Sequence, residues 1–548
     1  MSSTHRHRGG SSRLSPTRGS AIITCMFFIA IAALMLGSVL TWANNHGRLE
    51  ARKNELFKAQ YVAEAATEKA YAAIRDYVNT TGQAPGQTNL DGFATSQIPN
   101  STDNAAFSGY QIKDTNGTAN RMTIQLVSTS ATSAIKTGTY AGLNALITPY
   151  RVIARAYSTN RPVVLTTGIK RDIEIQQIPI FQFAIFYGVD MEIENGPAMV
   201  INGKVHSNKA GYFAPNISLT FNDTVTLGLS GTMGVMAGDT HKSAPFGSTT
   251  FSSPFTEEVP PLVLPIGAAD PHDVIELPPS SGTDPIASQR MYNKAGLRVE
   301  VTNSGITVKD VSGTTVSAPT GGGWVGSGSI GTNKTMFNFR ENKTITLTEI
   351  DISVLTAKSK LPSNGIVYVS DTRTGSSIQE TAVRVVNADT LPTAGLTVAT
   401  QNPIYLKGDY NTVNSSPAAV FADAINIVSG NWNDANASSG IGSRIANSTT
   451  VNAAFFSGNV PTTAGEYSGG VENFPRFLED WSSATLTYKG SMVVMFDSEI
   501  ATGKWSASSY SPPTRVWSFD TQFLDSTKLP PGTPSVRTIR RTTWTPTI

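Results

Sequence analysis

From Ser20 to Ala43 the chain reads SAIITCMFFIAIAALMLGSVLTWA, without a charged residue. Such a run can cross a bilayer only as a helix, because lipid offers backbone N–H and C=O groups no partners. At about 1.5 Å per residue it reaches roughly 36 Å, enough to cross a hydrocarbon core of about 30 Å with some tilt. Ile22, Phe27, Phe28, Leu34 and Leu36 supply its apolar surface, and Trp42 stands at the far end, where an interfacial aromatic belongs. The residues before it include Arg6, Arg8, Arg13 and Arg18 and no acid. The positive-inside rule therefore places the N-terminus in the cytoplasm and everything after about residue 45 outside. Basic residues also follow the span (Arg48, Arg52, Lys53), but Glu50 and Glu55 accompany them.

A cleaved secretory signal is the competing reading. Its apolar region usually runs about 7 to 15 residues and ends in a small-x-small site. This run is longer and lacks an Ala-x-Ala exit, so the sequence predicts a permanent anchor. Cys25 opens the apolar run, whereas a lipidated cysteine would follow it, and it reads as a small apolar membrane residue. It is the only cysteine, which rules out an intramolecular disulfide.

Residues 48–78 have helical periodicity. Leu49, Leu56, Ala59, Ala63, Ala66, Ala70, Ile74 and Tyr77 recur at spacings of three, four and seven, opposite Arg52, Lys58, Glu64, Glu68 and Arg75. The alanine-rich stripe permits close approach of a partner. That partner is either the chain's own domain or a bundle of neighbouring spans. Asn44-Asn45 and Gly47 are placed to bend the join between span and helix.

The segment Arg18-Gly19-Ser20-Ala21-Ile22-Ile23, the span, and Tyr61-Val62-Ala63-Glu64-Ala65-Ala66 beyond it resemble the N-terminal region of PilX-type minor pilins and related tip pseudopilins, over about residues 18–80. The resemblance implies that a prepilin peptidase cuts after Gly19. Ser20 would become the new N-terminus, and the apolar helix would pack with other pilin or pseudopilin subunits. Major pilins carry glutamate at the fifth mature position. Thr24 stands there in this chain, and loss of that glutamate resembles tip-type minor subunits.

The rest of the 548 residues suits an exported β-rich body. Charged residues are 15% of the chain, against a typical quarter, so Ser, Thr, Asn and Gly must cover much of the surface. A net charge of +2 gives no field for recruiting nucleic acid. The expected class is mainly β: a leader (1–19), a transmembrane helix (20–43), an amphipathic helix (44–80), then the body. Residues 81–180 read as a small β or α+β domain, with Tyr150–Ala156 and Gly168–Ile175 as antiparallel neighbours. Across 181–430, short strands broken by Asn-Gly corners suggest stacked coils, as in a parallel β-helix, with β-sandwich domains as the alternative. A Pro-rich arm over 254–286 leaves the coils. Residues 431–548 are expected to cap the open end. Within them Phe474–Trp481 reads as a short helix, Ser491–Phe496 as a buried strand and Arg515–Asp520 as its partner. The tail after Leu529 reads as exposed.

Catalytic signals are weak. His5, His7, His46, His206, His241 and His272 show no metal-ligand spacing. Gly326–Gly331 matches G-x-G-x-x-G by letters but precedes a β-prone run where a nucleotide site needs a helix. Asp190, Glu192 and Glu194 alternate and share a face, with Lys204 one coil on, which reads as a solvated strand face. Glu479 and Asp480 read as helix-end charges beside a core Trp481. Asp423, Asn431, Asn433 and Asp434 offer oxygens for calcium without EF-hand spacing. No catalytic residue, cofactor or metal site is assigned. The expected function is a membrane-anchored, extracytoplasmic structural subunit of the inner membrane, acting in filament assembly or surface display. Its partners are other pilins or pseudopilins, a prepilin peptidase and a surface glycan or protein ligand, with no nucleic acid. Two alternatives remain. One is an anchored carbohydrate-active β-helix enzyme using Glu192 or Glu194. The other is an envelope adhesin or scaffold, with Trp324, Trp432 and Trp505 as contact residues.

Overall fold

The structure, a computed structural model, describes residues 20–159, 166–317 and 328–547. The basic leader with Gly19, Trp324 and the start of the glycine run at 326 lie outside them. The fold is mainly β with a long N-terminal apolar helix.

Span and amphipathic segment form one helix, α1 (Ser20–Thr81). The expected bend does not interrupt it. Helix-weak residues cost at most about 1 kcal/mol each, and a Cβ on Gly47 would touch nothing. Among the described residues the first half of α1 packs against nothing, whereas Ala59, Val62, Ala63, Ala66, Ala70, Ile74 and Val78 are buried. Leu49 and Leu56, expected on the buried stripe, precede the packed portion and are exposed.

The packed half lies on an antiparallel sheet built from β1 (Tyr110–Lys113), β2 (Thr123–Leu126), β3 (Ala131–Ala134), β4 (Asn144–Ser158) and β5 (Thr166–Pro179). β4 and β5 pair as expected, with Tyr150 opposite Ile173 and Ala154 opposite Ile169. Alternation turns Tyr150, Val152, Ala154, Ile169, Ile173 and Ile175 toward the alanine stripe. At the edge of this contact Arg171 of β5 pairs with Glu68 of α1 at 2.6 Å.

The C-terminal tail is a strand. Ser535–Thr547 pairs antiparallel with β5, Ile539 opposite Ile175. Half-buried Arg540 is followed by an exposed run from Arg541 to Pro546, which disguises the strand in the sequence. The β-rich body is thus inserted between two neighbouring strands of one sheet.

In that body β6 (Ile185–Tyr187), β7 (Met191–Ile193), β8 (Met199–Ile201), β9 (Val205–Ser207), β10 (Gly211–Phe213), β11 (Ser218–Phe221), β12 (Val225–Leu227), β13 (Gly231–Thr232), β14 (Ser248–Phe251) and β15 (Phe255–Thr256) form three parallel ladders. Partners such as Ile185, Val205 and Val225 are 20 residues apart. The last step is 30, Ser218 to Ser248. The extra ten residues lie between β13 and β14.

The chain then crosses as the Pro-rich arm to Leu297–Thr302, near the far end of the same 12-stranded sheet, and returns strand by strand to Met492–Asp497, which pairs with β6. Thr449–Asn452, Ala454–Asn459, Thr485–Gly490, Met492–Asp497 and Thr514–Phe519 of the C-terminal region are thus strands of these sheets. Thr514–Phe519 pairs with Thr485–Gly490, not with Met492–Asp497 as expected. Phe474–Trp481 is not a helix. Pro475 offers no N–H, and the Arg476 backbone bonds to Ile425 and Ile427 in a parallel bridge.

The arm does not stand free. Leu262, Leu264, Ile266, Val274 and Ile275 bury the sheet's outer face, where Phe183, Phe421 and Phe456 would otherwise expose a large apolar patch. Gly82 and Gly267, both at positive φ, lock it to the end of α1. A Cβ at either would meet a backbone oxygen of the other segment at 2.5 Å.

Candidate functional site

The first candidate is the exposed half of α1. Its large apolar side chains from Ile22 to Leu40, including Phe27, Phe28, Leu34 and Leu36, are 57–75% exposed apart from half-buried Ile31, and Trp42 is 67% exposed. The helix is long and apolar enough to cross a membrane, with a window of mean hydropathy 2.5 and none of it buried. Cys25 is exposed on it. The head begins to grip the helix at Glu55, which accepts a hydrogen bond from the Tyr110 hydroxyl at 2.9 Å.

The second candidate is a cluster of carboxylates on the body. In β7 Met191 and Ile193 face the apolar interior, which turns Glu192 and Glu194 to the opposite side. Solvent was expected there. The structure instead covers that face with two segments. One is the ten-residue excess before β14, carrying Asp239, His241 and Lys242. The other is the stretch at 462–472, carrying Thr462, Tyr467, Ser468 and Glu472. Glu192, Glu194, Asp239 and Glu472 are all buried.

The hydrogen bonding is uneven. Glu192 takes one from Thr462 and one from Ser468, both at 2.6 Å and both on Oε2. Asp239 accepts from the His241 backbone at 2.7 Å on Oδ1. Glu472 takes the backbone N–H of Glu194 and, at 3.1 Å, the Tyr467 hydroxyl. Glu192 Oε1, Asp239 Oδ2 and both carboxylate oxygens of Glu194 are buried without a hydrogen-bond partner. His241 Nδ1 stands 3.5 Å from Glu194 Oε2, its ring stacked on Tyr467 and edge-on to Trp505. Lys242 Nζ donates to the Glu194 and Ala214 carbonyls. Burial, with Asp239 and Glu472 nearby, pushes Glu194 up to about 9. Burial also raises Glu192, against its two hydroxyl donors. Glu192 lines a cleft of about 220 Å³ together with Asp190, Lys209 and Asp497.

The other sequence candidates are not brought to this cluster. Lys204 pairs with Asp223 at 3.3 Å. The suggested calcium set is not assembled. Asp423 accepts from His272 and from backbone N–H groups at 499–501, while Asp434 pairs with Arg384 and Asn433 caps a turn. Glu479 is buried and bonded to Ser429, so it is not a helix-end charge. Trp432 is buried and donates to Asp434 at 2.9 Å. His206 is sealed in the core between Thr226 and Asn208.

Sequence reasoning missed Asp239, His241, Lys242 and Glu472, because the contact joins segments up to 278 residues apart. One signal was available: the 20-residue offset breaks once, and the excess carries three of the region's few ionisable groups.

No family model matches the chain, and no curated protein matches it. Among solved structures, the competence-associated pilin ComZ from Thermus thermophilus is similar at 12% identity and a TM-score of 0.30, over 90% of this chain and 97% of that chain.

Proposed function

We propose that the chain is a membrane-anchored, pilin-like minor subunit whose large β body is displayed outside the cytoplasm and acts structurally rather than catalytically. One observation carries the reading. A single unbroken helix is bare and apolar over its first half, and over its second half it is the spine of an antiparallel sheet. A free-standing apolar rod is not stable in water. Full burial of each such side chain is favourable by about 1.5–3 kcal/mol. Lipid, and then neighbouring spans of other subunits, supply that burial. The 20-residue offset of the parallel ladders supports reading the body as a β-solenoid head, carried on the anchor by a sheet that both ends of the insertion enter.

Processing by a prepilin peptidase fits the Arg18-Gly19-Ser20 junction. Intact-mass and N-terminal analysis of the chain purified from inner membranes of a host with that peptidase is expected to give Ser20 as the first residue, and Gly19→Val to retain the leader. A mature terminus elsewhere contradicts the proposal.

A further inference from the structure

We propose that Glu192, Glu194 and Asp239 form a divalent-cation site of the hard, calcium-binding class, in the pocket closed by the excess loop between β13 and β14.

The three carboxylates approach one another to within 4.8 Å, ligand atom to ligand atom. Their hydrogen bonds are divided in a way that suits a cation. Glu192 and Asp239 each spend one oxygen on protein donors, which fixes the side chain, and leave the other free. Glu194 has no hydrogen bond on either oxygen, with only the His241 ring 3.5 Å from Oε2. Fixed outer bonds with inner oxygens unpaired are how a coordination shell is oriented.

A second observation is independent of the acids. The Tyr187 hydroxyl is also buried without a partner, and lies near enough to Glu192 and Glu472 to feel both charges. Buried polar atoms are nearly always satisfied in folded proteins. Here four oxygens of three neighbouring carboxylates lack a hydrogen bond, with the Tyr187 hydroxyl beside the cluster also unsatisfied. Lys242 does not fill it, since its ammonium donates to two backbone carbonyls.

The donor set selects the ion. The free ligands are oxygens, and Glu194 offers a bidentate carboxylate, which suits calcium at about 2.3–2.6 Å with six to eight oxygens, the remainder from water. Zinc favours nitrogen and sulfur donors, and magnesium demands near-ideal octahedral geometry. The bound ion would tie β7 to the excess loop. The inference stands independently of the anchor.

The test is calorimetric titration of full-length chain in detergent, stripped with EGTA and desalted, using calcium chloride and magnesium chloride. The expected result is one calcium per chain with a dissociation constant below about 1 mM, magnesium at least about tenfold weaker, and a calcium-dependent rise in melting temperature. Glu194→Gln and Asp239→Asn are each expected to weaken calcium at least about tenfold. Neither should lower the melting temperature of the calcium-free protein, because Gln is isosteric with a protonated Glu194 and Asp239→Asn relieves like-charge crowding. Terbium emission sensitised through Tyr467 and Trp505 gives a second readout of the same site. No binding by the wild type at 5 mM (about fivefold the expected limit), or wild-type affinity in both variants, overturns the proposal.

Discussion

Arg476→Ala is expected to lower the unfolding free energy by about 3–5 kcal/mol, the usual loss when one member of a buried ion pair is removed. Arg476 is 2% exposed. Its guanidinium bonds Glu341 at 2.9 Å, the Ala501 carbonyl at 2.9 Å and the Ser498 hydroxyl at 3.2 Å. Glu341 in turn accepts the Gly503 N–H at 2.7 Å. One side chain thus ties the segment before residue 480 to the strand turn at 341 and to the loop at 498–503. Its removal leaves Glu341 charged and buried. Denaturant unfolding of the purified chain measures the effect. Lys53→Ala, which breaks an exposed pair with Glu50 at 3.4 Å, serves as the control and should change stability by less than about 0.5 kcal/mol. A loss below about 1 kcal/mol in Arg476→Ala would mean that the junction is not held by this group.

The second large effect depends on pH. His272 sits in the Pro-rich arm and is 3% exposed, with Nδ1 2.8 Å from Glu276 and Nε2 3.2 Å from Asp423; Glu499 lies at 3.9 Å. Burial disfavours its charge, but the bonds to Asp423 and Glu276 and the field of Glu499 prevail and raise it to about 9. A group raised on folding adds stability that is fully present below its unfolded value near 6.5 and disappears as pH climbs through its folded value. Stability is therefore expected to fall by up to about 3 kcal/mol between pH 6.5 and pH 10. The arm should become more open to protease near its exposed turn at 280–283. His272→Gln should flatten the slope across that window. An unchanged slope in the variant would remove His272 as its source.

The anchor and its packed continuation were legible because they rest on local signals. Charge-free length marks the span, and spacing of three and four marks the alanine stripe. The β4–β5 pair was legible for the same reason, as alternation in two long strands close in sequence. Non-local structure was not. The strand at 535–547 pairs with residues more than 350 positions earlier, and its arginines read as a solvated tail. Phe474–Trp481 has a helix-like mixture of apolar and charged residues, yet ladder bonds to Ile425 and Ile427 decide its conformation. For Glu192 and Glu194 the sequence correctly placed both on one face away from the core. It could not say that a loop 47 residues on and a segment 270 residues on would close over that face. Strand alternation reports which way a side chain points, not what lies there.

The central claim is that the first half of α1 resides in an apolar environment in the mature protein. Cys25, the chain's only thiol, lies in that half, so labelling needs no engineered background. In intact membranes a water-soluble maleimide is expected to leave the chain unlabelled, and in denaturant to modify one thiol per chain. Rapid labelling in intact membranes, or a mature chain with no thiol at all, would contradict the account.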